Sequence, residues 1–288
     1  MTAQTRRQIQ QADAAVAAIR HGEQMARGAG FEALSFTHRR LDGLMDPLLM
    51  VDHFTMTAPT FPPHAHAGLS AVSVLFEDSV GGFRNRDSLG NDVVLAPGDL
   101  YWLTAARGAV HDEAPTPGSR THALQLFVNL PAARKLDAPA ALHVPAARMP
   151  VIEGPGHRVR VMTGRSGGVV GAAPPAPDFT ILDIALEAGG GFAHALAPGA
   201  AAWLHAIRGA AEVEIDGARH ELTGAAALAV HGARKVRLRS DGGGQVALLS
   251  GAPLREAFVQ KGPFAMRDEA QLAAVTAAHA AGALGALD

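Results

Sequence analysis

The chain has 288 residues, a formal net charge of −2 and an apolar share of 48%. This is enough apolar material for the cores of about two ordinary domains, and no block of lysine and arginine stands out as the basic stripe of a nucleic-acid binder, so direct nucleic-acid binding is not expected. Cysteine is absent, so disulfides and thiolate ligands are excluded and any metal must be held by nitrogen and oxygen.

No stretch approaches the roughly 20 apolar residues of a transmembrane helix. The first residues lack the apolar core of a secretory leader. A soluble, cytoplasmic protein with no membrane partner is therefore expected. Residues 3–28 read as a helix with Ile9, Ala12, Val16 and Ile19 on one face, and 1–30 are expected to form an N-terminal helical extension.

From residue 31 the pattern changes to short β-like runs. Leu48 to Met50 is apolar and leads into Asp52 and His53. Leu69 to Phe76 alternates as a strand does. Arg86 to Asn91 is a turn, with Asp87, Ser88, Gly90 and Asn91 close together. Val93 to Leu95 and Leu124 to Val128 are further strands. Residues 130–157 are rich in proline and alanine, and a domain boundary is expected there, with units at 31–140 and 141–288. Strands are then predicted at 159–162, 179–186, 203–207, 211–215, 226–230, 235–238 and 246–249. The halves echo each other, which suggests duplication of one β-barrel unit. Asp268 is a helix N-cap, with an alanine-rich helix running to about Ala281.

Two clusters carry chemistry. In Pro62-Pro63-His64-Ala65-His66 the histidines are two apart, so in a strand both imidazoles point to one face. In Val110-His111-Asp112-Glu113 the same spacing puts His111 and Glu113 together and turns Asp112 away. Adjacent strands that joined the pairs would assemble three imidazoles and a carboxylate. Such a set suits a divalent first-row metal and leaves positions open for a ligand. The plainer reading is a set of polar residues satisfied by water and by each other. His53 reads as a hydrogen-bonded structural histidine. Arg86 and Asp87 are explained by turn chemistry, and Trp102 and Phe127 read as core. His122 and Gln125 are candidates to line the pocket. Nothing marks Tyr101, the only tyrosine, as functional.

Five segments resemble the pirin family of the cupin superfamily: MDPLLMVDHF (45–54), FPPHAH (61–66), FRNRDSLGN (83–91), APGDLYWLTAARGAVHDE (96–113) and LQLFVNLP (124–131). LDIALEAGG (182–190) and KGPFAMRDEAQL (261–272) resemble its C-terminal half more loosely. The resemblance implies an all-β bicupin with two cupin domains packed face to face and one metal in the N-terminal domain. It implies His64, His66, His111 and Glu113 as ligands. Iron is the usual metal, with nickel, cobalt, manganese, zinc and copper as alternatives. Where the family reads HxHRGFET, this chain has Ala67, Leu69 and Ser70. Ser70 occupies the ordinary cupin carboxylate position, so Glu113 is expected to supply the carboxylate, and the replaced residues are expected to alter the pocket mouth. No second metal is expected, because His194 and His205 lack a paired carboxylate.

The resemblance implies a quercetin 2,3-dioxygenase-like oxidoreductase. It would act on a flavonol-like enolic substrate and dioxygen, with Glu113 also accepting the substrate proton. Two other functions are compatible with it: a non-enzymatic metal-binding transcriptional co-regulator with a protein partner, and a cupin enzyme with a different small-molecule substrate.

Overall fold

The computed structural model describes residues 16–41 and 43–287. The first half contributes β1 (Val16–His21), β2 (Glu23–Arg27), β3 (Phe31–Thr37), β4 (Leu48–Met56), β5 (His64–His66), β6 (Leu69–Leu75), β7 (Phe83–Asp87), β8 (Asp92–Leu95), β9 (Leu100–Thr104), β10 (Ala109–Pro115), β11 (Thr121–Asn129) and β12 (Ala140–Val144). The second contributes β13 (Val151–Gly154), β14 (His157–Thr163), β15 (Arg165–Ser166), β16 (Val169–Val170), β17 (Phe179–Leu186), β18 (Gly190–Ala195), β19 (Ala201–Ile215), β20 (Ala218–Thr223), β21 (Ala226–His231), β22 (Lys235–Ser240), β23 (Gly244–Gly251), β24 (Val259–Lys261), β25 (Phe264–Met266) and α1 (Glu269–Ala280).

Three large sheets organise the molecule. A seven-stranded sheet runs β12-β9-β6-β11-β4-β3-β2, and a four-stranded sheet runs β5-β10-β7-β8. Phe31, Phe54, Leu75, Tyr101 and Leu103 of the large sheet meet Phe83, Leu95 and Ala109 of the small one in a common core. The second unit is built on a ten-stranded sheet through β21, β19, β23, β17 and β14, around Val159, Leu182, Leu204, Val213, Leu228 and Leu238.

The two units pack face to face. Strand alternation explains how one sheet serves two cores. On β11, Leu124, Leu126 and Val128 face the seam between the units, while Ala123 faces the first unit's interior. The seam buries Phe36, Val51, Val72 and Trp102 against Phe179, Ile181, Trp203 and Leu249. Each such side chain contributes about 1.5–3 kcal/mol relative to an exposed state. Arg160 of β14 anchors the seam: it pairs with Asp183 at 2.8 Å and donates to the carbonyls of Gly98 and Leu75 in the first unit.

The expected N-terminal helix is not found over the described residues, where Val16–His21 and Glu23–Arg27 are strands; residues 3–15 of that reading lie outside them. Sheet edges explain the difference. β1 pairs along β21 of the second unit, and β2 pairs along β3 of the first. Ala17 and Ile19 pack into the second unit's core and Ala18 into the seam, a two-residue alternation. Open edges thus override a weak helical pattern. Between them, a Cβ on Gly22 would lie 2.5 Å from Leu34 Cγ, so the crossing is tight.

Across the expected domain boundary, β12 still pairs with β9 of the first unit. The strands expected at 203–207 and 211–215 form one long β19, which bends at a register shift between Ala206 and Arg208. The C-terminal helix starts where the sequence places it, with Asp268 Oδ1 accepting from the Gln271 N–H at 2.9 Å. It returns to the first unit, where Leu272 and Val275 pack with Ala65, Ala67 and Val110 behind the histidine strands. Among the described residues no helix is long and apolar enough to cross a membrane.

Candidate metal centre

Strands β5 and β10 are antiparallel, with His64 opposite His111 and His66 opposite Ala109. The local two-residue parity puts His64 and His66 on one face, and the pairing brings His111 to the same face. His111 Nε2 lies 3.0 Å from His66 Nε2 and 3.1 Å from His64 Nε2. All three ligand atoms fall within 4.8 Å of one another.

The donor set fits a metal ion. Two nitrogens bound at right angles to an ion at about 2.1 Å lie about 3.0 Å apart, close to both separations. The rings are also held neutral, the ligating form. Burial depresses the His66 pKa to about 3, aided by His64. Burial, with His66 and His64 beside it, lowers His111 well below the usual range. Burial also lowers His64. The His64 Nδ1–H donates to the Pro62 carbonyl at 3.0 Å, leaving the Nε2 lone pair free to ligate. The Phe127 ring packs 4.9 Å from His66 and backs the cluster.

Glu113 stands apart from this group of three. Its carboxylate accepts a short hydrogen bond from Ser73 of β6, and Ser73 Oγ also lies 3.0 Å from the Gln125 side-chain amide. Burial pushes the Glu113 carboxyl up to about 7 despite the Ser73 bond, with Asp112 adding to the rise. Asn85 sits opposite Glu113 on β7, buried, with neither amide atom hydrogen-bonded. Asp112 faces the other way and pairs with Arg86 at 2.6 Å.

Other candidate residues fall into place by strand face. Asp87 organises its turn, accepting from the Leu89 and Asn91 N–H groups and from the Tyr101 hydroxyl. Gln125 faces the first unit's interior, but His122 on the same strand faces the seam, bonded to His53. Ala67, Leu69 and Ser70 are fully buried and form no pocket mouth. Ser70 shares its strand face with the seam residues Val72 and Val74 and donates to the Ala176 carbonyl at 2.9 Å. A carboxylate there would point away from the three histidines. His194 bonds Ser166 and His205 bonds His53, so they do not meet. Ser73 was not singled out by spacing; its signal was a lone hydroxyl on a strand face otherwise occupied by Leu69, Ala71 and Leu75.

Two face-to-face cupin units with a three-histidine cluster in the first define a bicupin with a candidate metal centre. The Pirin family model matches residues 30–128, and the Pirin C-terminal cupin domain model matches residues 181–285. The chain belongs to the pirin family. A Pseudomonas aeruginosa protein named "Putative quercetin 2,3-dioxygenase PA3240" is 34% identical over 243 residues, covering 79% of this chain and 82% of its own. Mouse Pirin is 30% identical over 231 residues, covering 79% of each. Among solved structures, a quercetin 2,3-dioxygenase from Acinetobacter baumannii superposes with a TM-score of 0.83 at 24% identity, over 94% of this chain and 98% of that one. The Escherichia coli pirin YhhW in complex with nickel(II) gives 0.64 at 16% identity, over 83% of this chain and all of that one. At these identities the two structures establish the fold.

Proposed function

We propose that this protein is a metal-dependent dioxygenase of flavonol-like enolic substrates, with the metal held by His64, His66 and His111. The observation that carries the reading is the convergence of three neutral imidazole nitrogens beside a separate, protonatable carboxyl. Iron is the first choice, and nickel, cobalt or manganese also suits nitrogen and oxygen donors. A bound divalent ion supplies Lewis acidity toward an enol and its carbonyl and readies the substrate for reaction with dioxygen.

The chain's own residues supply proton handling and positioning. Glu113 accepts the enol proton at a carboxylate oxygen, and Ser73 holds that carboxylate in place. Ser73 thereby also decides whether Glu113 remains a base or turns to complete the ligand set. The names of the Pseudomonas aeruginosa and Acinetobacter baumannii proteins support the substrate class.

The test is aerobic turnover of quercetin by protein loaded separately with iron, nickel, cobalt or manganese, beside His64→Ala. Metal-dependent loss of flavonol absorbance in the wild type alone is expected. Stoichiometric metal with no turnover in any form would sink the enzymatic reading and leave a metal-binding regulator.

A further inference from the structure

A second histidine cluster lies in the seam between the two units, away from the metal centre. His53 of β4 and His122 of β11 belong to the first unit, and His205 of β19 to the second. They form a line. The Asp78 carboxylate lies 2.8 Å from His122 Nδ1, with its other oxygen at 3.0 Å. His122 Nε2 lies 2.7 Å from His53 Nε2, His53 Nδ1 lies 3.0 Å from His205 Nε2, and His205 Nδ1 lies 2.8 Å from the Ala226 carbonyl. Each ring nitrogen is spent on a different partner, so the arrangement is a wire and not a convergent metal cluster.

The wire has an acceptor at both ends. A carbonyl oxygen and a carboxylate can only accept. Four links join Asp78, His122, His53, His205 and Ala226, and each needs one proton. Three neutral imidazoles bring three. Starting from Ala226, His205 must donate from Nδ1 and accept at Nε2. His53 must then donate from Nδ1 and accept at Nε2. His122 must therefore donate from Nε2 toward His53 and from Nδ1 toward Asp78. We propose that the seam between the cupin units stores one proton on this three-histidine wire, neutralised by Asp78, and that this proton makes the docking of the units pH-dependent.

The surroundings agree. Burial, with His205 and His122 nearby, lowers the His53 pKa to about 3, and burial lowers His205 to about 4, so neither carries the charge. The positive end lies at the rim, where the Asp78 side chain is 43% exposed. Of the neighbouring charges, Glu77 pairs with Arg158, Arg160 with Asp183 and Arg20 with the Ile19 carbonyl, while Arg120 donates to the main-chain carbonyl of Asp78 itself at 3.5 Å.

The sign follows from linkage. Unfolded histidines lose their protons near pH 6.5, whereas the folded wire keeps its fourth. The three unfolded histidines together still hold about 1.5 protons at pH 6.5, so the folded state binds more protons only from about pH 7 up to the pH at which the wire releases its proton. Stability then falls as pH rises.

The decisive variant is Asp78→Asn in the full-length protein. The new amide donates to His122 Nδ1, so three neutral rings complete all four links. In zinc-loaded protein at pH 7, ring 15N shifts should show one doubly protonated imidazole among these three in the wild type and none in D78N. The wild-type Tm should drop by a few degrees between about pH 7 and pH 9, and the D78N profile should show no such drop. Three singly protonated rings in the wild type, or identical pH profiles, would overturn the proposal.

Discussion

His64 and His111 meet Nε2 to Nε2 at 3.1 Å although 47 residues separate them. They are direct partners across β5 and β10, so the contact depends on the register of one short strand. A slip of one residue would turn His111 to the opposite face.

His64→Ala, His66→Ala and His111→Ala should each reduce bound metal from about one ion per chain to a small fraction, because three ligands are the least that hold such an ion with positions open. Elemental analysis of purified protein checks this. Metal added at about 100 times its Kd should stabilise the wild type by about 2.7 kcal/mol and leave the variants unchanged. Equal metal in wild type and variants would refute the site.

Glu113→Gln separates a base from a ligand. With Glu113 held by Ser73 outside the cluster, the variant should keep its metal and lose turnover by about 100-fold or more. Metal loss in E113Q would make Glu113 a ligand instead. Ser73→Ala should cost about 1–2 kcal/mol, because a buried carboxyl loses its hydroxyl donor; urea unfolding measures that change.

Arg160→Met should destabilise the protein by about 3–5 kcal/mol by leaving Asp183 buried without its cation. The double variant R160M/D183L should recover much of the loss. Chemical unfolding of the three proteins checks this, and a single-variant loss below about 1 kcal/mol would contradict a structural role at the seam.

Asp52 is buried in the first unit's interior and accepts from the Ser35 hydroxyl. Burial raises its pKa to about 6 against that hydrogen bond. A folded-state pKa above the unfolded value of about 3.9 means that the folded state binds the extra proton. The associated stability is present below about pH 4 and is lost as pH rises to about 6. Asp52→Asn keeps an acceptor for Ser35 without a buried charge, so at pH 7 it should gain about 1–2 kcal/mol. Urea midpoints at pH 4 and pH 7 should show this gain only at the higher pH.

The strand faces of the first unit were largely legible in the alternation of LSAVSVLF and LQLFVNLP. The Asp268 cap was legible because capping is local. The N-terminal segment misled because its apolar spacing suits both a helix and a strand, and the choice was made by edges offered by β21 and β3. Ser70 misled for a related reason: counting from His66 gives its sequence position but not which face of β6 it occupies.

By itself the sequence determined the donor chemistry: nitrogen and oxygen only, two pairs spaced two apart, and a face for each pair. That parity is a property of any extended strand and needs no partner. Only the tertiary structure decided that His64, His66 and His111 converge while Glu113 bonds Ser73, and that His53 and His122 reach His205 across the seam. Those contacts join residues 40 to 152 positions apart. They depend on sheet register and on the packing of one unit against the other, which no local pattern encodes.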